Sequence, residues 1–280
     1  MELSLGVTLA VLGAALAHAT WNALIKSGRD ILLDTALVAL AAGVLVAPLL
    51  PFVAPPERAA WPYLIASSLI HVGYFFSLVG AYKTGDLSHG YPIMRGVAPL
   101  LVAMSALAWF GEAASAATWA GVALICGGVL SLGLAGFDWA HSRAALGWAL
   151  ANAAIIALYT LVDATGVRAA GGALRYVLWV FLLMGLPFCL IVVALKRDEF
   201  MRHAARHWRR GLAGGALQAL AYGVALWAMT QAPVAAVAAL RETSVIFAAL
   251  IGAYLLKEGH ARRRLGGALV VLAGVIALKL

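Results

Sequence analysis

Arg241 and Glu242 stand side by side inside the apolar stretch PVAAVAALRETSVIFAALIGAYLLKE, residues 233–258, and Arg95 lies early in a similar stretch. A charge held in hydrocarbon costs on the order of several kcal/mol, so charges there are rare and tend to be paired or functional. A buried guanidinium presents a planar fork of donors that fits a carboxylate or phosphate. A buried carboxylate can carry a proton. Arg95 and Arg241 are therefore candidates to hold an anionic group, and Glu242 is a candidate coupling group. The alternative is structural: each arginine is tied to helix ends or carbonyls, and Glu242 offsets its neighbour's charge. Adjacent residues on a helix point about 100° apart, so a tight Arg241–Glu242 pair is not expected, and one of the two should face a neighbouring helix.

His18, Trp21, Asn22 and Ile25 share one helix face by their spacing. Such a stripe either lines a water-filled cavity or glues helices together. Asn152, Tyr159 and Asp163 share another face; Asp163 is a second coupling candidate, or a solvated carboxylate near a helix end. His71, Tyr74, Gln218 and Tyr222 complete the candidate substrate-binding set, with core packing as the alternative for the aromatics. Trp179 and Trp227 suit an interfacial belt. Glu112 and Glu258 read as carboxylates at the starts of the two closing helices, where they complement the positive helix end. His203 and His207 have a metal-ligand spacing, but the surrounding Arg202, Arg206, Arg209 and Arg210 would repel a cation, so the stretch reads as a basic segment on anionic lipid. Cys126 and Cys189 form neither a disulfide framework nor a metal motif and read as buried small apolar groups. No cofactor or metal is expected.

The elements that must position these residues are membrane helices. The chain is 64% hydrophobic and only 11% charged, against roughly 25% charged in a soluble domain. Spans of about 20 residues are expected at 3–26, 32–53, 61–83, 89–110, 116–135, 145–167, 175–195, 209–230, 234–256 and 263–279. Turn-forming residues mark the joints, among them Gly85-Asp86, Phe137-Asp138 and Gly171-Gly172. Pro48 and Pro51, Pro92 and Pro99, and Pro187 interrupt helix ladders, and a kink around Arg95 could serve a moving gate or be static. The formal net charge of +8 lies mostly between the spans, as membrane anchors do, and no soluble module remains to bind nucleic acid. A cleaved leader is not expected, because Met1-Glu2 is acidic where a basic region belongs.

The chain also repeats itself. Tyr74–Glu112 and Tyr222–Glu258 share an early arginine and a glutamate the same distance further on: Arg95 to Glu112, and Arg241 to Glu258. Both glutamates precede a small-residue helix, WAGVALICGGVLSL and RLGGALVVLAGVIAL. Trp21 and Tyr159 also correspond, as do Tyr74 and Tyr222. Two five-helix halves, residues 1–137 and 138–280, are expected. Five is odd, so the halves should enter the bilayer from opposite sides, an inverted repeat.

At these residues the chain resembles the EamA-type family of the drug/metabolite transporter superfamily. The resemblance covers essentially the whole chain and rests on the spans, the Gly111-Glu112 and Lys257-Glu258 junctions, and the aromatic-polar ends of the first and sixth spans. It implies an all-α integral membrane protein, ten transmembrane helices around a central cavity, moving small metabolites by alternating access. Export is implied more than uptake, and a bacterial inner membrane is the expected location. The expected partners are a small-molecule substrate and membrane lipid, with a proton as candidate coupling ion. The family usually has both termini inside. Arg and Lys, however, fall mainly on the face that this would put outside, where Lys26, Lys83, Arg143, Arg206 and Arg262 lie, so the positive-inside rule points the other way. A lipid flippase of the same architecture is the runner-up. An enzyme has no support: G-x-S-x-G, P-loop and H-E-x-x-H motifs are absent. A passive channel would need a more continuous polar lining.

Overall fold

Capping residues start the helices where the apolar stretches begin. Ser4 accepts the Val7 N–H at the head of α1 (Leu5–Lys26), and Asp30 accepts the Leu33 N–H at the head of α2 (Ile31–Val46). The computed structural model describes residues 3–28, 30–84, 87–112, 115–134, 143–255 and 261–278, and among them every regular element is helical. The remaining helices are α3 (Trp61–Thr84), α4 (Leu87–Phe110), α5 (Ala116–Leu134), α6 (Arg143–Arg168), α7 (Ala173–Ala228), α8 (Val234–Arg241), α9 (Ser244–Leu255) and α10 (Ala261–Ala277). Six of the described helices are long and apolar enough to cross a bilayer. Large apolar side chains such as Leu9, Leu69, Leu107, Leu190 and Leu269 point outward. That surface suits lipid rather than water.

Two expected spans differ in detail. The span expected at 32–53 ends as α-helix at Val46, and Pro48 and Pro51 fall in a 3-10 turn, Ala47–Phe52, because proline cannot supply the N–H that continues the ladder. The span expected at 234–256 is broken: Arg241 ends α8, Glu242 and Thr243 form a turn, and Ser244 begins α9. Tighter bonds carry the chain through the break, Glu242 N–H to Ala239 O and Thr243 N–H to Leu240 O, while the Thr243 hydroxyl also donates to Leu240 O at 2.8 Å. That oxygen is thereby drawn away from the regular ladder. The basic stretch around His203 and His207, from Arg202 to Arg210, expected on the lipid surface, is helical. Pro92 and Pro99 lie within a continuous α4. The Lys257-Glu258, Gly85-Asp86 and Phe137-Asp138 joints lie outside the described residues.

The ladder of α7 runs for 56 residues, which as one rod would reach about 84 Å. Lys196 breaks it with φ −141° and ψ 43°. The two arms, 173–195 and 197–228, fold back on each other, and α2 shows this. A Cβ on Gly185 would lie 2.5 Å from the Ala39 carbonyl oxygen, and one on Gly215 would lie 2.6 Å from the Ala42 nitrogen. In a straight helix those two glycines would be about 45 Å apart. Instead both press on one short stretch of α2, with Gly211 and Gly214 against Leu37 and Val38. Small residues let membrane helices approach this closely.

A second close crossing joins α5 to α10. A Cβ on Gly121 would lie 3.0 Å from the Gly274 carbonyl oxygen, and one on Gly274 2.9 Å from that of Gly121. Gly128 and Gly267 approach each other in the same reciprocal way, at 3.0 and 3.2 Å. The two helices therefore run antiparallel.

Candidate functional site

Helices α1, α3, α4, α6, α8 and the second arm of α7 meet around a buried polar and aromatic cluster. Its electrostatic centre is a pair that the sequence did not suggest. Arg95 Nε, on α4, lies 2.8 Å from Glu242 Oε2, in the break after α8, with both side chains about 4% exposed. The contact is a charge pair but not an aligned hydrogen bond. Arg95 Nε, Arg95 Nη2 and Glu242 Oε2 are all buried without a hydrogen-bond partner. Nε and Oε2 are turned to each other in the ion pair, which leaves Arg95 Nη2 as the donor open to a further partner. Buried polar atoms are nearly always satisfied, so an open one marks either strain or a place for a ligand.

Arg241 does not pair with Glu242. Its guanidinium carbon sits over the Tyr222 ring, 5.1 Å from the centroid, a cation–π contact. Tyr222 belongs to an aromatic group. The His71 ring stacks on Tyr159 at 4.4 Å, and Tyr74 and Tyr222 meet Tyr159 edge-on at 5.6 and 5.8 Å. His71 is fixed from behind, its Nδ1 lying 2.8 Å from the Ser67 carbonyl oxygen and 3.1 Å from the Ser67 hydroxyl. His18, Tyr74 and Tyr159 are all within electrostatic reach of both Arg95 and Arg241.

The other candidates fall into two groups. Trp21 packs edge-on against His18 at 5.2 Å, and its indole N–H is buried without an acceptor. Gln218, one helical turn before Tyr222, has a buried side-chain oxygen without a donor. Both can still take a partner. Asp163 and Asn22 are already engaged. Asp163 is fully buried, not solvated, and accepts hydroxyls from Tyr176 (2.7 Å) and Tyr222. Asn22 donates to the His18 carbonyl of its own helix at 2.8 Å. Asn152 donates to the Ser77 hydroxyl at 2.7 Å and joins α6 to α3. Trp179 packs on Trp61 and Trp227 is partly exposed. Cys126 and Cys189 are free and buried.

Glu112 corrects another expectation. It does not start α5, because the Ser115 hydroxyl already accepts the Thr118 N–H there. Gly111 adopts φ +66°, a turn that favours glycine, and the chain swings Glu112 across the bundle. One carboxylate oxygen accepts the Val234 N–H at the head of α8 (3.1 Å), and the other meets Arg168 Nη1 at 2.8 Å. Arg168 Nε in turn donates to the Met229 carbonyl. Glu112→Ala is expected to cost about 1.5–3 kcal/mol, the range for a hydrogen bond to a charged group. Thermal unfolding in detergent checks this; a variant that melts with the wild type would remove the capping role. Glu258 lies outside the described residues.

The sequence missed two residues altogether. Tyr176 gave no signal beyond being an aromatic near a helix start. Asp34 could have been noticed as a carboxylate at the head of an apolar run: it is buried, and its Oδ1 lies 2.9 Å from His203 Nε2. His203 is thus engaged with α2 rather than with lipid, while Arg210 donates to Ser27 Oγ and to the Leu24 carbonyl.

This helical membrane fold occurs in solved structures. One, described only as the crystal structure of a protein, matches over 98% of both chains with a TM-score of 0.77 at 18% identity, which speaks for the fold alone. Comparison with curated proteins returns no match. Residues 143–280 match the model of the EamA-like transporter family. That match places the second half of the chain in the family, within the drug/metabolite transporter superfamily, and with six apolar helices it supports a multi-pass membrane protein of transporter type.

Proposed function

We propose that the chain is a secondary transporter that moves a small polar or amphipathic metabolite across a plasma membrane, that of a bacterial inner membrane, by alternating access. The observation that carries this reading is the buried cluster of Arg95, Arg241 and Glu242 beside four packed rings, with hydrogen-bonding atoms left open. A purely structural cluster would close those atoms off. Export, as opposed to uptake, is carried over from the family resemblance. Of the two coupling candidates, Glu242 is favoured, since Asp163 is held by two tyrosine hydroxyls.

Ten crossings in two inverted halves accompany this reading. The α5–α10 crossing supports it. The register that carries Arg95 onto Arg241 and Glu112 onto Glu258 also carries Gly121 onto Gly267 and Gly128 onto Gly274. Exchanging the halves therefore turns the Gly121–Gly274 approach into the Gly267–Gly128 approach. An axis of two-fold symmetry in the membrane plane has that effect. The two arms of α7 supply two of the crossings, and α8 with α9 supplies one.

The test profiles medium and cytosol of cells making the wild type, Arg95→Ala or Arg241→Ala at matched membrane levels. At least one compound should cross with the wild type. Arg241→Ala should slow its movement about tenfold or more, the worth of one charge-assisted hydrogen bond. Equal movement by all three proteins would dismiss this site. A lipid flippase would need the site open toward the bilayer, whereas both arginines are buried; flipping of a labelled lipid without solute movement would reinstate it.

A further inference from the structure

The repeat supplies the cluster with two arginines, and only one carboxylate, Glu242, is ion-paired with either of them. Where the second half has Arg241-Glu242, the first half has Arg95-Gly96. Gly96 is packed on Leu130 and the Cys126 carbonyl, so no acidic side chain fits there. Glu242 is committed to Arg95. Asp163, the other buried acid of the region, is committed to Tyr176 and Tyr222. Among the described residues Arg241 has no ion-pair partner, only the face of Tyr222 beneath it. Beside the already paired Glu242, the open atoms are two donors, Arg95 Nη2 and the Trp21 indole N–H, and three neutral oxygens, the Gln218 amide oxygen and the hydroxyls of Tyr91 and Ser244.

We infer that the site takes an aromatic carboxylate that carries no ammonium group. This rests on the transporter reading above and narrows it. A zwitterionic amino acid would bring a cation into a site whose two buried carboxylates, Glu242 and Asp163, are already engaged, and would find only the neutral oxygens of Gln218, Tyr91 and Ser244 to receive it. A carboxylate balances the uncompensated charge of Arg241 and accepts from Arg95 Nη2. The body of the ligand is set by the neighbours of those guanidiniums: Tyr159 and Tyr222, with His71 and Tyr74 around them, offer ring faces and edges to a flat apolar group.

Three compounds of one skeleton test this on the purified full-length protein: hydrocinnamate (carboxylate only), phenylalanine (carboxylate and ammonium) and phenethylamine (ammonium only). Hexanoate serves as a carboxylate without a ring. Binding is read by ligand-induced thermal protection, and movement by counterflow in proteoliposomes. Hydrocinnamate should bind about tenfold or more tightly than phenylalanine, and phenethylamine should not protect. Hexanoate should be weaker than hydrocinnamate by about three- to tenfold, the range of an aromatic contact. Arg241→Gln should erase the advantage of hydrocinnamate over phenethylamine. Phenylalanine binding as tightly as hydrocinnamate, or phenethylamine binding at all, would overturn the inference, and both are read on the wild type without any variant. A third arm separates the two readings. Proteoliposomes that exchange components of a cell extract but not hydrocinnamate would remove the substrate class and leave the transporter. Proteoliposomes that exchange neither would remove both.

Discussion

Purified Glu242→Leu protein should melt well below the wild type, by an amount equivalent to about 3–5 kcal/mol. The substitution leaves Arg95 buried, with no carboxylate beside it and with two of its nitrogens lacking hydrogen-bond partners already. Removing one member of a buried pair is costly because the survivor keeps its charge without compensation. Replacing both members by apolar residues of similar size is often neutral. The double variant Arg95→Met/Glu242→Leu is therefore expected to recover most of the lost stability while transport stays absent. That split distinguishes a pair kept for function from one kept for architecture. If the double variant is as unstable as the single one, the pair is not what destabilises Glu242→Leu; if it still transports, the pair is not the working centre.

Gly185→Val should be the most damaging change outside the site. Its Cβ would meet the carbonyl oxygen and carbon of Ala39, at 2.5 and 2.8 Å. These are backbone atoms and cannot rotate aside, so α2 and the first arm of α7 must part. Overpacking typically costs about 1–3 kcal/mol, and a β-branched residue against backbone belongs at or above the top of that range. Size-exclusion profiles in detergent should show little folded monodisperse protein. Gly147→Ala is the control: nothing lies within 4 Å of its Cβ position, and alanine favours helix over glycine by about 1 kcal/mol. A wild-type profile for Gly185→Val would mean that the two helices are not in backbone contact.

Hydropathy made the helical, membrane-embedded architecture readable from the sequence, because a bilayer demands long apolar runs with satisfied backbone. It also singled out Arg95, Arg241 and Glu242, whose cost in hydrocarbon makes them conspicuous. What it could not supply was partnership. Arg95 and Glu242 come from opposite halves of the chain, and only the packing of α4 against α8 brings them together. The break at Glu242-Thr243 was hidden for a different reason: it needs neither glycine nor proline, only a threonine hydroxyl that draws the Leu240 carbonyl away from the ladder. Glu112 was assigned to the nearest helix start in sequence, whereas the turn at Gly111 delivers it to a distant one. Asp34 went unnoticed because a carboxylate at a helix head has an ordinary explanation, and its bond to His203 depends on the fold-back at Lys196.

That fold-back also governs what can move. Both arms of α7 rest on α2 through glycines with no side chain between the backbones. Contacts of that kind have no slack: sliding by even one residue would drive a Cβ into a carbonyl. The three segments should then travel as a single block, like a clamp closed on a bar. Displacement that exposes the arginines to one side or the other has to be taken up elsewhere, and the interrupted ladder between α8 and α9 is a joint placed directly beside them. The carboxylate facing Arg95 sits in that joint, so gaining or losing its partner would load the hinge directly.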